Sequence, residues 1–199
     1  MCKVYSLWLR NTYPFLSIGR DFWAHYSCEI ARPLTRNVKI GDSVRLDRDV
    51  WLNIPFDPGH NHPVIEIADG CRIGRRCMIS AMNSIHIEPN VVLSPSILVM
   101  DHNHAFEDIT IPIRDQGITK GGTIRIEEGC WIGLGATIVC SQGDLIIGKN
   151  SVVGANSVLT RSVPPCSVVA GNPARIVKQF DSSTGEWARR TASTRLVSK

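Results

Sequence analysis

Two histidines and an aspartate stand close together in the segment VMDHNHAFEDITIPI, which begins at Val99. A hydroxyl is a poor nucleophile near neutral pH, so transfer of a group to it needs a base that removes its proton. An imidazole suits this role, and a carboxylate can hold its second nitrogen in one tautomer. His102 and His104 are therefore candidates for a general base, and Asp101 for a residue that orients an imidazole or contacts the acceptor.

The same residues allow two other interpretations. They could be a polar loop with incidental histidines, or a metal site built from Asp101, His102 and His104. Three ligands from one loop would be poor geometry for tetrahedral zinc without a further partner, so we expect no metal. Alternate residues of an extended chain face the same way, so His102 is expected to share a pocket with His104.

A six-residue repeat surrounds this segment and predicts the scaffold. An aliphatic residue, here called the lead, begins each hexamer. The leads before the loop are Ile40, Leu46, Leu52, Ile67, Ile73, Ile79, Ile87, Leu93 and Val99. The leads after the loop are Ile126, Ile132, Ile138, Ile147, Val153 and Leu159. A helix would have apolar residues at spacings of three and four, and an ordinary strand would alternate over a longer run. A buried lead, a bend and a small inward residue four places on describe a short strand plus a corner, stacked as a parallel β-helix.

Interruptions of the repeat predict the domain organisation. We expect a protruding loop at about 103–123 and a surface excursion in NIPFDPGHNHP, which begins at Asn53. Residues 1–35 lack the repeat and are expected to cap the first coil, whose strand edges would otherwise be open. Residues 36–180 form the repeat domain. Residues 181–199 are expected to be a tail with a helix, capped within 182–184.

The cysteines are interpreted as core residues. Cys71, Cys77 and Cys130 fall four places after a lead, where other hexamers carry small residues. Free buried cysteine packs as a small apolar residue. The seven cysteines show no spacing typical of zinc ligands or of a disulfide framework.

Composition indicates one globular domain that needs no disulfide or metal. The chain has 199 residues, of which 43% are hydrophobic and 20% charged. No apolar run approaches the roughly 18 residues of a membrane span, and the first residues lack the apolar centre of a signal peptide, so we expect a cytoplasmic protein. The net charge of +4 lies largely in the tail. Nucleic-acid binding would require denser basic clustering, so we expect no such partner.

The leads, the loop opening on DHNH, the segment CWIGLGATI and the closing segment VVGANSVLTRSVPPCSVVAGNPARIVKQF together resemble the hexapeptide-repeat acyltransferases. Within that superfamily the chain is similar to galactoside, maltose and polysaccharide O-acetyltransferases over roughly residues 38–180. The resemblance implies an all-β, left-handed parallel β-helix of hexapeptide repeats with an extruded loop and a short C-terminal helix. It also implies a homotrimer with active sites between subunits, and acetyl-coenzyme A as donor to a hydroxyl of a sugar or polysaccharide precursor. Handedness comes from the resemblance alone, because parallel crossovers are nearly always right-handed.

The resemblance also assigns site residues. His104 matches the catalytic histidine. The matches to coenzyme-binding positions are Trp131, Gly135, Ala136, Ala155, Thr160, Arg175 and Lys178. The coil 131–136 would supply backbone N–H groups to an oxyanion, and Arg175 and Lys178 would meet the phosphates.

The acceptor side departs from the galactoside enzyme. Gly74 and Met82 stand where that enzyme has an asparagine and an aspartate, which predicts a different acceptor pocket. The candidate acceptor contacts are His60, His62 and Asp101.

Other functions stay open on the sequence. Asn103 and His104 also match antibiotic-modifying members, so a xenobiotic or amino-sugar N-acetyltransferase is the alternative. A serine acetyltransferase would need a large helical amino-terminal domain. Outside this class, hexapeptide helices occur as non-catalytic scaffolds and as carbonic-anhydrase-like metal proteins.

Overall fold

The computed structural model describes residues 1–189, and its strands form three sheets in which each coil contributes one short strand. Sheet A contains β1 (Ser17–Ile18), β4 (Val38–Ile40), β7 (Ile65–Ile67), β10 (Ser84–Ile87), β13 (Thr123–Ile126) and β16 (Asp144–Ile147). Sheet B contains β2 (Trp23–Ala24), β5 (Arg45–Leu46), β8 (Arg72–Ile73), β11 (Val92–Leu93), β14 (Trp131–Ile132), β17 (Val152–Val153), β19 (Ser167–Ala170), β20 (Arg175–Asp181) and β21 (Glu186–Arg189). Sheet C contains β3 (Glu29–Ile30), β6 (Trp51–Asn53), β9 (Met78–Ser80), β12 (Leu98–Met100), β15 (Thr137–Val139) and β18 (Val158–Leu159). The successive coils pair in parallel, which confirms the β-helix predicted from the repeat.

The hexamer leads form the core. Ile67, Ile87 and Ile126 are aligned in register on neighbouring coils, and each is 0% exposed. Full burial of one aliphatic side chain stabilises a fold by about 1.5–3 kcal/mol. Sheets A, B and C are the three sides of a prism. The stacked leads in its interior are therefore its main stabilising feature.

The corners depend on the residue three places after a lead. Ser43, Arg76, Asn90 and Asn150 occupy this position with φ between 55 and 61°. This left-handed region is rare outside glycine, and asparagine and aspartate enter it more easily than other residues. The polar corner residues of the repeat thus turn the chain from one sheet to the next.

The β-helix begins before residue 35, earlier than the sequence predicts. The first coil already begins at β1, and Ile18, Ala24 and Ile30 are its buried or half-buried leads. The repeat is weak in the sequence there because its middle lead is the small Ala24 and the large Phe22 stands four places after Ile18. The cap is the helix α1 (Cys2–Thr12), in which the Ser6 hydroxyl accepts a hydrogen bond from the Ala24 N–H at 2.9 Å.

The predicted C-terminal helix is wrong for residues 182–189. Instead β20 and β21 form an antiparallel hairpin, with Phe180 opposite Trp187 and their rings 5.6 Å apart. The Asp181 carboxylate accepts the Ser183 N–H at 2.9 Å, and Gly185 has a φ of +73°. These are turn features, and they take the place of a helix cap. The remainder of that prediction, residues 190–199, lies outside the described residues.

Two short 3₁₀ helices, Arg32–Asn37 and Ile113–Asp115, complete the elements. No helix within residues 1–189 has the length and apolar character needed to cross a bilayer.

The buried cysteines have the environment predicted for core residues. Cys71, Cys77 and Cys130 are 0–1% exposed. Burial raises the pKa of each of these thiols to about 11. A thiol that stays protonated in the fold is a poor nucleophile.

This environment predicts a loss of stability at alkaline pH. An unfolded thiol ionises near pH 9 and a folded one only near pH 11, so the stabilisation is complete below pH 9 and disappears as the pH rises toward 11. The wild-type protein is expected to have a higher free energy of unfolding than Cys77→Ala at pH 7. We expect this difference to be about 1 kcal/mol smaller at pH 10. Urea unfolding at both pH values measures this difference. The core variant Ile73→Val should show a deficit that does not change with pH; a constant deficit for Cys77→Ala as well would contradict the prediction.

Candidate active site

The chain leaves the regular coil repeatedly at one corner of the prism, between sheet C and sheet A. The connections 54–64, 81–83, 101–122 and 140–143 all follow a strand of sheet C and precede a strand of sheet A. Neighbouring coils are about 4.8 Å apart, so these segments stack along one edge. The loop that carries the histidine motif therefore lies above the proline-rich excursion.

Asp101 anchors the start of the loop. It is 0% exposed, and its Oδ1 accepts the Met82 N–H at 2.7 Å. Its Oδ2 accepts the N–H groups of Asn83 and Ser84, both at 2.8 Å. The prediction that Asp101 contacts the acceptor is wrong for this chain, because the carboxylate is buried and committed to the coil below.

His102 is the imidazole that Asp101 orients. Its Nδ1 lies 3.0 Å from Asp101 Oδ1, and the residue is 7% exposed. This contact favours the tautomer that carries the proton on Nδ1. His102 is nearly enclosed, so little of its ring can reach a ligand.

His104 is exposed, and its backbone is fixed. It pairs with Ile118 in an antiparallel bridge, and the Thr119 N–H donates to the Asn103 carbonyl at 2.8 Å. Within residues 1–189 its ring makes no hydrogen bond or ion pair. The base of the loop thus holds His104 at the surface with its ring nitrogens free. His102 and His104 differ sharply in burial, which the sequence spacing did not indicate.

The tip of the loop is apolar and exposed. Phe106 is 62% exposed, Ile109 97% and Ile113 55%. Apolar side chains exposed together are typical of contact surfaces.

His60 and His62 lie on the same corner as the histidine loop, about two coils toward the amino terminus. Both are exposed, and their rings are 5.4 Å apart. The buried Asn37 amide donates to the carbonyls of His60 and His62, at 2.6 and 2.8 Å. They lie roughly 10 Å below the loop, so their contact with an acceptor stays a prediction.

Most of the predicted coenzyme residues share a different part of the molecule. On sheet B, Trp131 is in register with Val152, Val152 with Val168, and Val168 with Lys178. The residues placed on sheet B or at its edge toward sheet C are Trp131, Gly135, Ala155, Arg175 and Lys178. Thr160 is separate: it follows β18 at the corner of the histidine loop and lines a cleft of about 600 Å³ with Arg161.

Two findings narrow the predictions for the coil 131–136. Ala136 is 0% exposed, so its side chain belongs to the core. Four N–H groups of this coil already donate to backbone carbonyls and are therefore not available to an oxyanion. They belong to Trp131, Gly133, Gly135 and Ala136.

Stacking of the coils explains the glycine at 133. A Cβ there would lie 2.7 Å from the backbone nitrogen of Ala155 on the next coil. Gly135, with a φ of +69°, turns the same corner. Both glycines are required by the fold without reference to a ligand.

In a single chain, therefore, His104 and the sheet B residues lie on opposite edges of sheet C. The sequence could not show this, because it reveals the repeat but not which sheet each position joins. The backbone donors to Asp101 also left no signal in the sequence. Within the described residues there is no group of three or more His, Cys, Asp or Glu side chains that could hold a metal ion.

Comparisons with known proteins add the family. Residues 123–161 match the family model described as the hexapeptide repeat of succinyl-transferase. A putative acetyltransferase of Saccharomyces cerevisiae is 31% identical over 68% of this chain and 67% of its own length. A putative lipopolysaccharide biosynthesis O-acetyltransferase, WbbJ of Escherichia coli, is 28% identical over 63% of this chain and 66% of its length. A probable acetyltransferase of Mycobacterium tuberculosis is 32% identical over 57% of this chain. The chain spans only 37% of that last relative's length.

Solved structures agree on the fold, the left-handed parallel β-helix. AntD, an N-acyltransferase from Bacillus cereus solved with dTDP and 3-hydroxybutyryl-CoA, has a TM-score of 0.69 and 20% identity, over 92% of this chain and 89% of AntD. A hexapeptide-repeat acetyltransferase from Vibrio cholerae, solved with acetyl coenzyme A, has a TM-score of 0.54 and 23% identity, over 90% of this chain and 78% of its own.

Proposed function

Because this chain belongs to the hexapeptide-repeat acetyltransferases, we propose that it transfers an acetyl group from acetyl-coenzyme A to a hydroxyl of a sugar or polysaccharide precursor. His104 of one subunit serves as general base, and the coenzyme lies along sheet B of a neighbouring subunit in a homotrimer.

The observation that carries this proposal is the separation of the two halves of the site. The exposed His104 lies at the corner between sheets C and A, whereas Trp131, Arg175 and Lys178 lie on sheet B and its edge toward sheet C. The width of sheet C separates them within one chain. In a ring of subunits with head-to-tail contacts, one edge of each prism meets the other edge of its neighbour, and the halves come together.

The outer face of sheet C supports such an interface. Six of its outward side chains are apolar and stay partly exposed in the single chain, beside the polar Glu29, Asn53 and Thr137: Trp51, Met78, Leu98, Met100, Val139 and Val158. The loop that carries the apolar tip around Ile109 begins at the edge of this face, directly after β12. Both surfaces would be covered by a second copy of the chain.

The chemistry follows from this arrangement. His104 removes the proton from the acceptor hydroxyl as its oxygen attacks the thioester carbonyl. The new carbon–oxygen bond forms, the carbon–sulfur bond breaks, and the proton passes from the imidazolium to the departing thiolate of coenzyme A. His102 and Asp101 do not touch the reacting atoms; they position the strand from which His104 projects.

A sugar acceptor is supported by WbbJ, whose description names lipopolysaccharide biosynthesis and O-acetyl transfer. AntD transfers to nitrogen and shares the fold. Amino sugars are therefore included in the acceptor test.

The test is release of coenzyme A thiol from acetyl-coenzyme A in the presence of panels of sugars, nucleotide sugars and amino sugars. We expect acceptor-dependent release with at least one hydroxyl acceptor, from a protein with the mass of a trimer in light scattering. A monomer in solution, or no acceptor-dependent release from a folded trimer across the panels, would refute the proposal.

Arg175→Ala should raise the Michaelis constant for acetyl-coenzyme A. Arg175 is exposed on β20 of sheet B, and within residues 1–189 its side chain donates one hydrogen bond, to the Ala174 carbonyl at 2.8 Å. Loss of one charge-assisted hydrogen bond to a phosphate corresponds to roughly a tenfold increase. Turnover at saturating coenzyme should change little. An unchanged Michaelis constant would contradict the placement of the coenzyme phosphates at Arg175.

Mixed trimers test whether the site is shared. Subunits carrying His104→Ala are refolded or co-expressed with subunits carrying Arg175→Ala, and activity is measured at low coenzyme concentration. If the site uses His104 of one subunit and Arg175 of the next, about a quarter of the interfaces in an equal mixture contain both natural residues. Activity then rises above that of either parent. Activity equal to the average of the two parents would place both residues in one subunit's site.

A further inference from the structure

A basic cleft lies on the first three coils, on sheet B and its edge toward sheet C. It has a volume of about 330 Å³ and is lined by Trp23, His25, Arg45, Asp47, Arg48 and Arg75. A single carboxylate faces three guanidinium groups there. The cleft is therefore positively charged even when the histidine is neutral.

Arg45 is held in place within the cleft. Its guanidinium carbon lies 4.1 Å from the centroid of the Trp23 ring, and its Nε lies 3.0 Å from Asp47 Oδ1. A cation–π contact and a charged hydrogen bond together restrict the guanidinium before any ligand arrives. Only one of its five N–H donors is used by Asp47, so the others can serve a ligand.

Arg48 and Arg75 occupy neighbouring coils in the same turn. The Arg76 N–H donates to the Arg48 carbonyl at 2.9 Å, which fixes the register of the two turns. Both side chains are exposed, and neither forms an ion pair within residues 1–189. The backbones of Arg48 and Arg75 are thus about one coil spacing, roughly 4.8 Å, apart, and their unpaired side chains line the same cleft as Arg45.

The arrangement costs stability, which indicates a use. Arg45 lies directly opposite Arg72 in the parallel ladder of sheet B. Like charges at directly opposed positions are destabilising. Asp47 compensates only Arg45, and a local rule broken in this way is typical of a functional surface.

We propose that this cleft binds the diphosphate, or two neighbouring phosphates, of a small-molecule ligand. The planar guanidinium fork matches phosphate oxygens in a bidentate manner, and groups on successive coils match a ligand with more than one phosphate. The chemistry fits two sources, a nucleoside diphosphate acceptor and the diphosphate of coenzyme A; the second source would mean that the coenzyme phosphates do not lie at Arg175. The cleft lies on the same side of the prism as Trp131, and its nearest coil, that of Arg75, is two coils or roughly 10 Å toward the amino terminus from the coil of Trp131. Binding does not depend on acetyl transfer; only its assignment to the acceptor rests on the proposed function.

The test is calorimetric titration of the full chain with inorganic pyrophosphate at low ionic strength. The double variant Arg48→Gln/Arg75→Gln should bind pyrophosphate at least about tenfold more weakly than the wild type. The matched control is Arg20→Gln/Arg125→Gln, which removes the same charge from arginines paired with Asp42 and Glu88 elsewhere on the prism. Equal affinity of wild type and the Arg48/Arg75 variant, or an equal loss in the control, would overturn the proposal.

Competition identifies the source of the phosphates. Displacement of pyrophosphate by uridine diphosphate alone indicates an acceptor nucleotide, and displacement by coenzyme A indicates the donor. Failure of both to compete would overturn a diphosphate ligand. His104→Ala should bind pyrophosphate as the wild type does, so this inference can hold or fail separately from the proposed reaction.

Discussion

His104→Ala should lower turnover by about 100- to 10,000-fold, the range expected when a general base is removed. The ring is exposed and free of protein partners within the described residues, so its loss breaks no internal contact. We therefore expect the melting temperature and the affinity for coenzyme A to stay close to wild type. Steady-state kinetics, thermal unfolding and calorimetry measure the three quantities.

The matched control for this experiment is His102→Ala. That change leaves Asp101 Oδ1 without its imidazole partner in a buried place, so it should lower stability as well as turnover. Added imidazole should partly restore the rate of His104→Ala, because the site is open to solvent, and should not restore that of His102→Ala. Rescue of His102→Ala alone would show that the enclosed histidine, held by Asp101, is the base.

Asp101→Ala should destabilise the protein by about 3–5 kcal/mol, the cost of removing one partner from a buried charged cluster. The change leaves the N–H groups of residues 82–84 and the His102 ring without their common acceptor. For a chain of this length the melting temperature should fall by roughly 10 °C. Urea and thermal unfolding measure the loss.

Turnover should fall in the same variant even at temperatures where it is fully folded. The carboxylate ties the start of the histidine loop to the coil below, so without it the strand leading to His104 is no longer held. Asp115→Ala, on the same loop but half-exposed and paired with Arg114, should change stability by less than about 0.5 kcal/mol. Wild-type stability in Asp101→Ala would mean that water replaces the carboxylate and that the anchor is dispensable.

Much of the fold could be predicted from the sequence, because the residues of each hexamer predict its own strand and corner. Residues such as Ile73 and Ile132 repeat at a spacing that suits neither a helix nor a long strand, and their burial is the direct consequence. The buried thiols of Cys71 and Cys77 followed from their place in the same repeat. Prediction was wrong where the pattern was diluted, as at Ala24 in the first coil, and where turn residues such as Ser182–Thr184 served a hairpin instead of a helix.

The sequence by itself thus determined the repeating coil, the interruption at DHNH and the residue types that could act there, because these depend on neighbours within six residues. Only the tertiary structure decided that Asp101 holds His102 and leaves His104 exposed, and that the sheet B residues lie across the width of sheet C from that histidine. Burial and backbone hydrogen bonds between coils separate residues that look equivalent along the chain, and those contacts join positions seventeen or more residues apart.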